Sequence, residues 1–125
     1  MINYVFTPQQ EEIMLSALSK FGSENRVKKA MEEFCELYIA SKDNEMKYVD
    51  NPSPKLKAEI TTEVADCIIM GWQLENLPDY VDTSLVFLFF DFIKPYIAMY
   101  YGLYPGMVGA EIDYKLLRLE RLLNQ

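Results

Sequence analysis

The 125 residues predict an all-α fold, a helical bundle of about four to five helices, on three observations. Apolar residues recur at spacings of three and four over long stretches, the period of a helix that buries one stripe. Two of those stretches open on a capping residue followed by proline, Thr7-Pro8 and Ser53-Pro54, the order in which helices start. Carboxylates come in pairs three residues apart, Glu33 with Glu36 and Glu63 with Asp66, which a helix places on one face. A chain of this length supports one domain, 1–125, with a core of its own. Half its residues are apolar and a quarter charged, the balance of a globular protein that needs no staples.

The first helix starts at Thr7, with Gln10 placed to close a capping box and Glu11 and Glu12 at the favourable end of the dipole. Its stripe is Ile13, Met14, Ala17, Leu18 and Phe21, and Gly22 ends it. Ser23 is expected to cap a second helix that runs to about Lys42, packed through Val27, Ala30, Met31, Phe34, Leu37 and Tyr38, with Glu33 and Glu36 on another side. Residues 41–54 turn polar without periodicity and read as loop. A third helix follows Ser53-Pro54 and is apolar around most of its circumference, leaving Glu59, Glu63, Asp66 and Gln73 as its one polar seam. Leu77-Pro78-Asp79 breaks the chain, and Asp82 or Thr83 caps a fourth helix to about Tyr101 that Pro95 kinks or divides. Tyr104-Pro105-Gly106 reads as a turn within a loop over 102–109, before a fifth helix over 110–123 whose stripe is Ile112, Leu116, Leu119 and Leu123.

A net charge of −7 argues against binding a nucleic-acid polymer, which needs clustered Lys and Arg. It leaves room for a small anion whose charge is carried by divalent cations. The two cysteines, Cys35 and Cys67, read as reduced, small, buried packing residues, and the expected compartment is the cytoplasm. The apolar stretch 85–109 is interrupted by Asp91, Lys94, Pro95 and Pro105, so a membrane span is not expected; its aromatic content suits a core or subunit contact instead. The chain has no histidine and no phosphate-binding glycine loop. Phosphoryl chemistry here would therefore run on carboxylates and metal, and an all-oxygen donor set favours Mg²⁺, with Mn²⁺ as a substitute. Four carboxylates gathered without a counter-charge would also repel one another and raise their own pKa values, a further reason to expect a cation.

Glu32-Glu33-x-x-Glu36, followed after 26 residues by Glu63-x-x-Asp66, resembles the signature of the MazG-like all-α nucleoside triphosphate pyrophosphohydrolases. Phe21-Gly22, Leu37 and the run from Glu63 to Met70 are similar to the family's surroundings of these motifs. The likeness covers 10–77, extends loosely over 111–123, and departs from the family pattern in the aromatic segment between.

The resemblance implies hydrolysis of a nucleoside triphosphate to monophosphate and pyrophosphate in nucleotide-pool housekeeping. It also implies Mg²⁺ held by Glu33, Glu36, Glu63 and Asp66, and a bundle completed by assembly into a homodimer or homotetramer. Glu32, Glu33 and Glu36 are the expected catalytic residues, with Glu32 as a partner to the ligands or the base that orients water. Lys42, Lys47, Lys55 and Lys57 are candidates for the triphosphate. Trp72, Asn76 and Asn25 are candidates for the base by their closeness to the motifs. Two other readings stand beside this one: a helical adaptor whose acidic seam is structural or binds a basic partner, and a phosphoribosyl-ATP type pyrophosphohydrolase.

Overall fold

The computed structural model describes residues 3–47 and 53–125, with the backbone alone over 43–47. Five α-helices make up the described residues: α1 Pro8–Phe21, α2 Ser23–Lys47, α3 Pro54–Glu75, α4 Ser84–Leu103 and α5 Pro105–Leu123. No strand occurs among them. The all-α expectation thus holds.

The helix α3 is central and packs along α2, α4 and α5, while α1 crosses α2, α3 and α5. Its buried residues Ile60, Val64, Cys67, Ile68, Gly71 and Leu74 come with Ala65 and Ile69 on the flanks, so it is enclosed on most sides as its composition requires. Starts follow the local signals. Thr7 Oγ1 accepts from the Gln10 N–H at 3.1 Å while the Gln10 side chain accepts from the Thr7 N–H at 3.0 Å, a complete capping box. Ser53 Oγ accepts from the Leu56 N–H at 3.4 Å, and Pro54 occupies the first helical position.

Several boundaries differ from the sequence expectation. Ser23 does not cap α2: it is the first helical residue, and its buried hydroxyl has no partner. The turn is made instead at Gly22, whose φ of 85° lies where a side chain is strained. The helix α2 continues to Lys47 rather than ending near Lys42. Ser41 is fully buried and its hydroxyl meets that of Tyr100 at 2.9 Å, so a contact from α4 holds a polar turn helical.

Asp82 supplies the bond at the start of α4, its Oδ1 accepting from the Ser84 N–H and hydroxyl at 3.1 and 2.8 Å, whereas Thr83 makes no capping bond. Pro95 lies on the exposed side of α4 and does not divide it. The loop expected over 102–109 shrinks to Tyr104, because Pro105 opens α5 as its first residue instead of making a turn. Of the cysteines only Cys67 is buried; Cys35 is exposed.

Among the described residues α4 alone is long and apolar enough to cross a membrane, by length and composition. Val86, Phe90, Ile93, Ile97 and Tyr100 pack into the bundle, and Asp91 is paired with Lys94 at 3.1 Å. Leu85, Leu88, Phe92, Met99 and Leu103 are exposed.

The helices α3 and α4 approach closely at Gly71. A Cβ on Gly71 would lie 2.5 Å from the Phe90 ring, which is itself stacked on Phe34 at 5.1 Å. Gly71→Ala should therefore overpack the core at a cost of about 1–3 kcal/mol, partly offset by up to about 1 kcal/mol of helix propensity. A thermal melt should fall by several degrees; an unchanged or raised midpoint would refute the close fit.

Candidate metal centre and its cleft

The contact between α2 and α3 sets the site. Glu33 and Glu36 stand one turn apart on α2, and Glu63 faces them from α3. One carboxylate oxygen from each lies within 4.8 Å of the others. A divalent cation with metal–oxygen distances of about 2.1–2.5 Å separates opposing ligands by about 4.2–5.0 Å, so the three oxygens are close enough together to meet one such ion. Two further observations fit a cation. Glu33 is 5% exposed, and its Oε2 and that of Glu63 are buried with no hydrogen-bond partner. Buried carboxylate oxygens without a partner are costly unless a cation meets them.

The electrostatics bear the mark of this crowding. Burial first, then the charges of Glu36 and Asp66, push the Glu63 carboxyl up to about 7. Burial and the charge of Glu33 raise Asp66 to about 6 against the opposing pull of Lys115. Glu36, though it faces solvent, is raised by partial burial and by Glu33. The Cys67 thiol is raised well above its usual value by burial, and its Sγ lies 3.4 Å from the Glu33 main-chain carbonyl, which suits a packing residue.

Counter-charge is present where the sequence reading expected none. Lys29 Nζ meets Glu33 Oε1 at 3.0 Å from one turn earlier in α2, and Lys115 Nζ on α5 meets Asp66 Oδ1 at 3.0 Å. Asp66 is not one of the three, although its carboxyl also meets that of Glu33. The expectation that Glu33 falls away from the packed face is also corrected: it is buried against α3, while Tyr38, expected in the packed face, is partly exposed.

Other candidates fall elsewhere. Glu32 is exposed and pairs loosely with Lys29 at 3.9 Å, outside the cluster. Lys42 lies over the rings of Tyr38 and Tyr96 at 5.6 and 5.8 Å, held by aromatic faces instead of the site. Lys55 is exposed on the first turn of α3, Lys57 sits over Tyr104, and the Lys47 side chain lies outside the described residues. Trp72 packs against Phe6 at 6.2 Å and lines a different cavity, with Tyr4, Gly71 and Phe90. Asn76 and Asn25 are exposed, and each donates to a carbonyl four residues back, Trp72 and Phe21, as helix-end side chains do.

The cleft beside the carboxylates has a volume of about 250 Å³ and runs between α2, α3 and α5. Glu33 and Asp66 line it together with four cations, Arg26, Lys29, Lys115 and Arg118. Sequence reasoning put the positive charge in the segment between the acidic motifs and missed these four. Only Lys29 carried a local signal, since it stands four residues before Glu33 on the same helix face. Such a group of cations and carboxylates around a concave surface can hold a polyanion together with its counter-cation. No protein-family model, curated protein or solved structure matches the chain.

Proposed function

We propose that the chain is a metal-dependent pyrophosphohydrolase that splits a nucleoside triphosphate into monophosphate and pyrophosphate, as its likeness to the MazG-like enzymes implies. The observation that carries this reading is the set of Glu33, Glu36 and Glu63 oxygens within 4.8 Å of one another, beside a cleft lined by four cationic side chains.

Glu33, Glu36 and Glu63 would hold Mg²⁺, with Mn²⁺ as substitute, and Asp66 would join them on release from Lys115. The metal would neutralise phosphate charge and acidify a bound water. Lys29 and Lys115, which neutralise Glu33 and Asp66, would turn to phosphate oxygens when a cation takes their place. Arg26 and Arg118 line the same cleft from α2 and α5, and Arg118 orients the triphosphate. Glu36 is the carboxylate at the open edge of the cluster, the position from which a proton of the attacking water is accepted. Glu32, exposed and turned to Lys29, is left as an outer partner.

The test is pyrophosphate release from a panel of ribo- and deoxyribonucleoside triphosphates with Mg²⁺, Mn²⁺ or EDTA. We expect metal-dependent release from a subset, and loss of turnover in Glu36→Gln and Asp66→Asn. Unchanged turnover in both variants would refute the assignment of the site. The adaptor reading has one observation in its favour: the Lys29–Glu33 and Lys115–Asp66 pairs satisfy part of the seam without metal. A folded chain that binds no divalent cation would favour it.

Self-association completes the proposal. Ile39, Leu85, Leu88, Phe92 and Leu103 are exposed, and Cys35, Tyr38, Phe89 and Phe92 line an apolar groove of about 240 Å³ between α2 and α4. A surface of this kind marks an interaction site, and a homodimer or homotetramer would bury it. Light scattering at micromolar concentration should give a multiple of 14.6 kDa; a monomer would count against it.

A further inference from the structure

Two residues that line the cleft each carry a buried polar atom that no described residue satisfies. Gln73 is 1% exposed, and its Nε2 donates to the Met14 main-chain carbonyl at 3.2 Å. A carbonyl only accepts, so the orientation of the amide is decided, and Oε1 is the atom left over; it is buried with no partner. Arg26 Nε is the second, a buried donor without an acceptor, while its Nη2 finds only the weak sulfur of Met70 at 3.7 Å. A buried polar atom left unmet is costly, and both residues line one cleft. Phe21 lines the same cleft with its ring partly exposed and the Arg26 guanidinium 5.3 Å from its centre.

The position along α3 matters. Glu63, Asp66 and Gln73 share one helix seam, and at about 1.5 Å per residue Gln73 lies roughly 10 Å beyond Asp66 and 15 Å beyond Glu63. A ligand with phosphates at the carboxylates therefore extends toward Gln73. At about 250 Å³ the cleft is just below the range of about 300–1,000 Å³ usual for drug-sized ligands, which leaves room for one ring system at its Gln73 end.

We propose that this end of the cleft is the nucleobase subsite of the activity proposed above, a reading on which this inference rests. The base lies against the exposed part of Phe21, donates an N–H to Gln73 Oε1 and accepts from the Arg26 Nε–H. Nucleobase edges offer such a donor beside an acceptor, whereas a sugar phosphate has no planar face to stack and no such edge. Gln73 and Arg26 are thus specificity-determining residues, distinct from the carboxylates that hold the metal.

The experiment titrates the full chain, with and without Mg²⁺, with nucleoside 5′-monophosphates and with ribose 5-phosphate, and reads binding by calorimetry. At least one monophosphate should bind about tenfold or more tighter than ribose 5-phosphate, the lower range for a base on an aromatic ring. That margin should disappear in Phe21→Ala and in Gln73→Met, with Mn²⁺ affinity unchanged. Gln73→Met also strips the Met14 carbonyl of its donor and costs stability; Phe21→Ala, at a partly exposed ring, does not share that cost. Equal binding of ribose 5-phosphate and every monophosphate, no binding of any of them in either condition, or a margin that survives Phe21→Ala would overturn the assignment. Base-selective binding without hydrolysis of any triphosphate supports the subsite and removes the hydrolase. Hydrolysis indifferent to the base does the reverse.

Discussion

Glu63→Gln should make the metal-free protein more stable at pH 8 while removing its response to Mg²⁺ and its turnover. The opposite signs follow from one cause. In the parent chain, ionising Glu63 brings a third negative charge against Glu33 and Glu36, with one of its oxygens buried and unpartnered. A carboxyl lifted from 4.5 to about 7 holds its proton more tightly by about 3 kcal/mol at full value. Glu63 is only half-buried, and solvent screening reduces this to about 1–2 kcal/mol. Glutamine keeps the shape and removes the charge, so the melting midpoint should rise by roughly 3–10 °C. The same change deletes one of three cation ligands, and pyrophosphate release should fall by about two orders of magnitude or more. Melts of both proteins with EDTA and with Mg²⁺, beside the turnover assay, decide it. A variant that is destabilised without metal, or that keeps its Mg²⁺ response, would show that Glu63 does not belong to a cation site.

Stability of the metal-free chain should fall as pH rises from about 4 to 7, the reverse of ordinary carboxylate behaviour. Glu63 is raised from 4.5 to about 7 and Asp66 from 3.8 to about 6, in both cases by burial first and neighbouring carboxylates next. Between those values the folded chain binds protons that the unfolded chain has lost. Each step upward in pH therefore favours unfolding, and the loss is complete above about 7. The two groups interact, so their effects do not add; about 2–4 kcal/mol across the window is expected. Saturating Mg²⁺ should invert the slope, because the cation binds the ionised carboxylates and competes with their protons. Calorimetric midpoints across pH 4.5–8, with EDTA and with Mg²⁺, test both slopes. A metal-free midpoint that climbs between pH 5 and 7 would mean that the cluster is neutralised within the chain, by Lys29 and Lys115, and needs no cation.

Those two lysines illustrate how far the sequence could be read. The pairing of Glu33 with Glu36 and of Glu63 with Asp66 is a property of helix period, so their place on helix faces was legible in one dimension. That three of them converge was legible only through the resemblance, since nothing local says which face of α2 meets which face of α3. Nothing local set Lys115 apart in the closing helix. Its role depends on α5 packing along α3, a contact between distant parts of the chain. The expectation for Lys42, Lys55, Trp72 and Asn76 rested on closeness in sequence to the motifs. The structure does not bring them to the carboxylates, because neighbours along a helix point around its whole circumference.

Helix starts were determined by the sequence alone at Thr7-Pro8 and Ser53-Pro54, where a side chain bonds the backbone three residues on and no other part of the chain is needed. The stripes of α1, α3 and α5, and the carboxylate pairs, belong with them, because period and capping are local. Where α2 ends, where α5 begins, which carboxylates are neutralised and where a cleft opens were decided by the tertiary structure. Ser41 meets Tyr100, Asp66 meets Lys115, and Gln73 meets Met14. Each of these bonds joins residues that only packing makes neighbours.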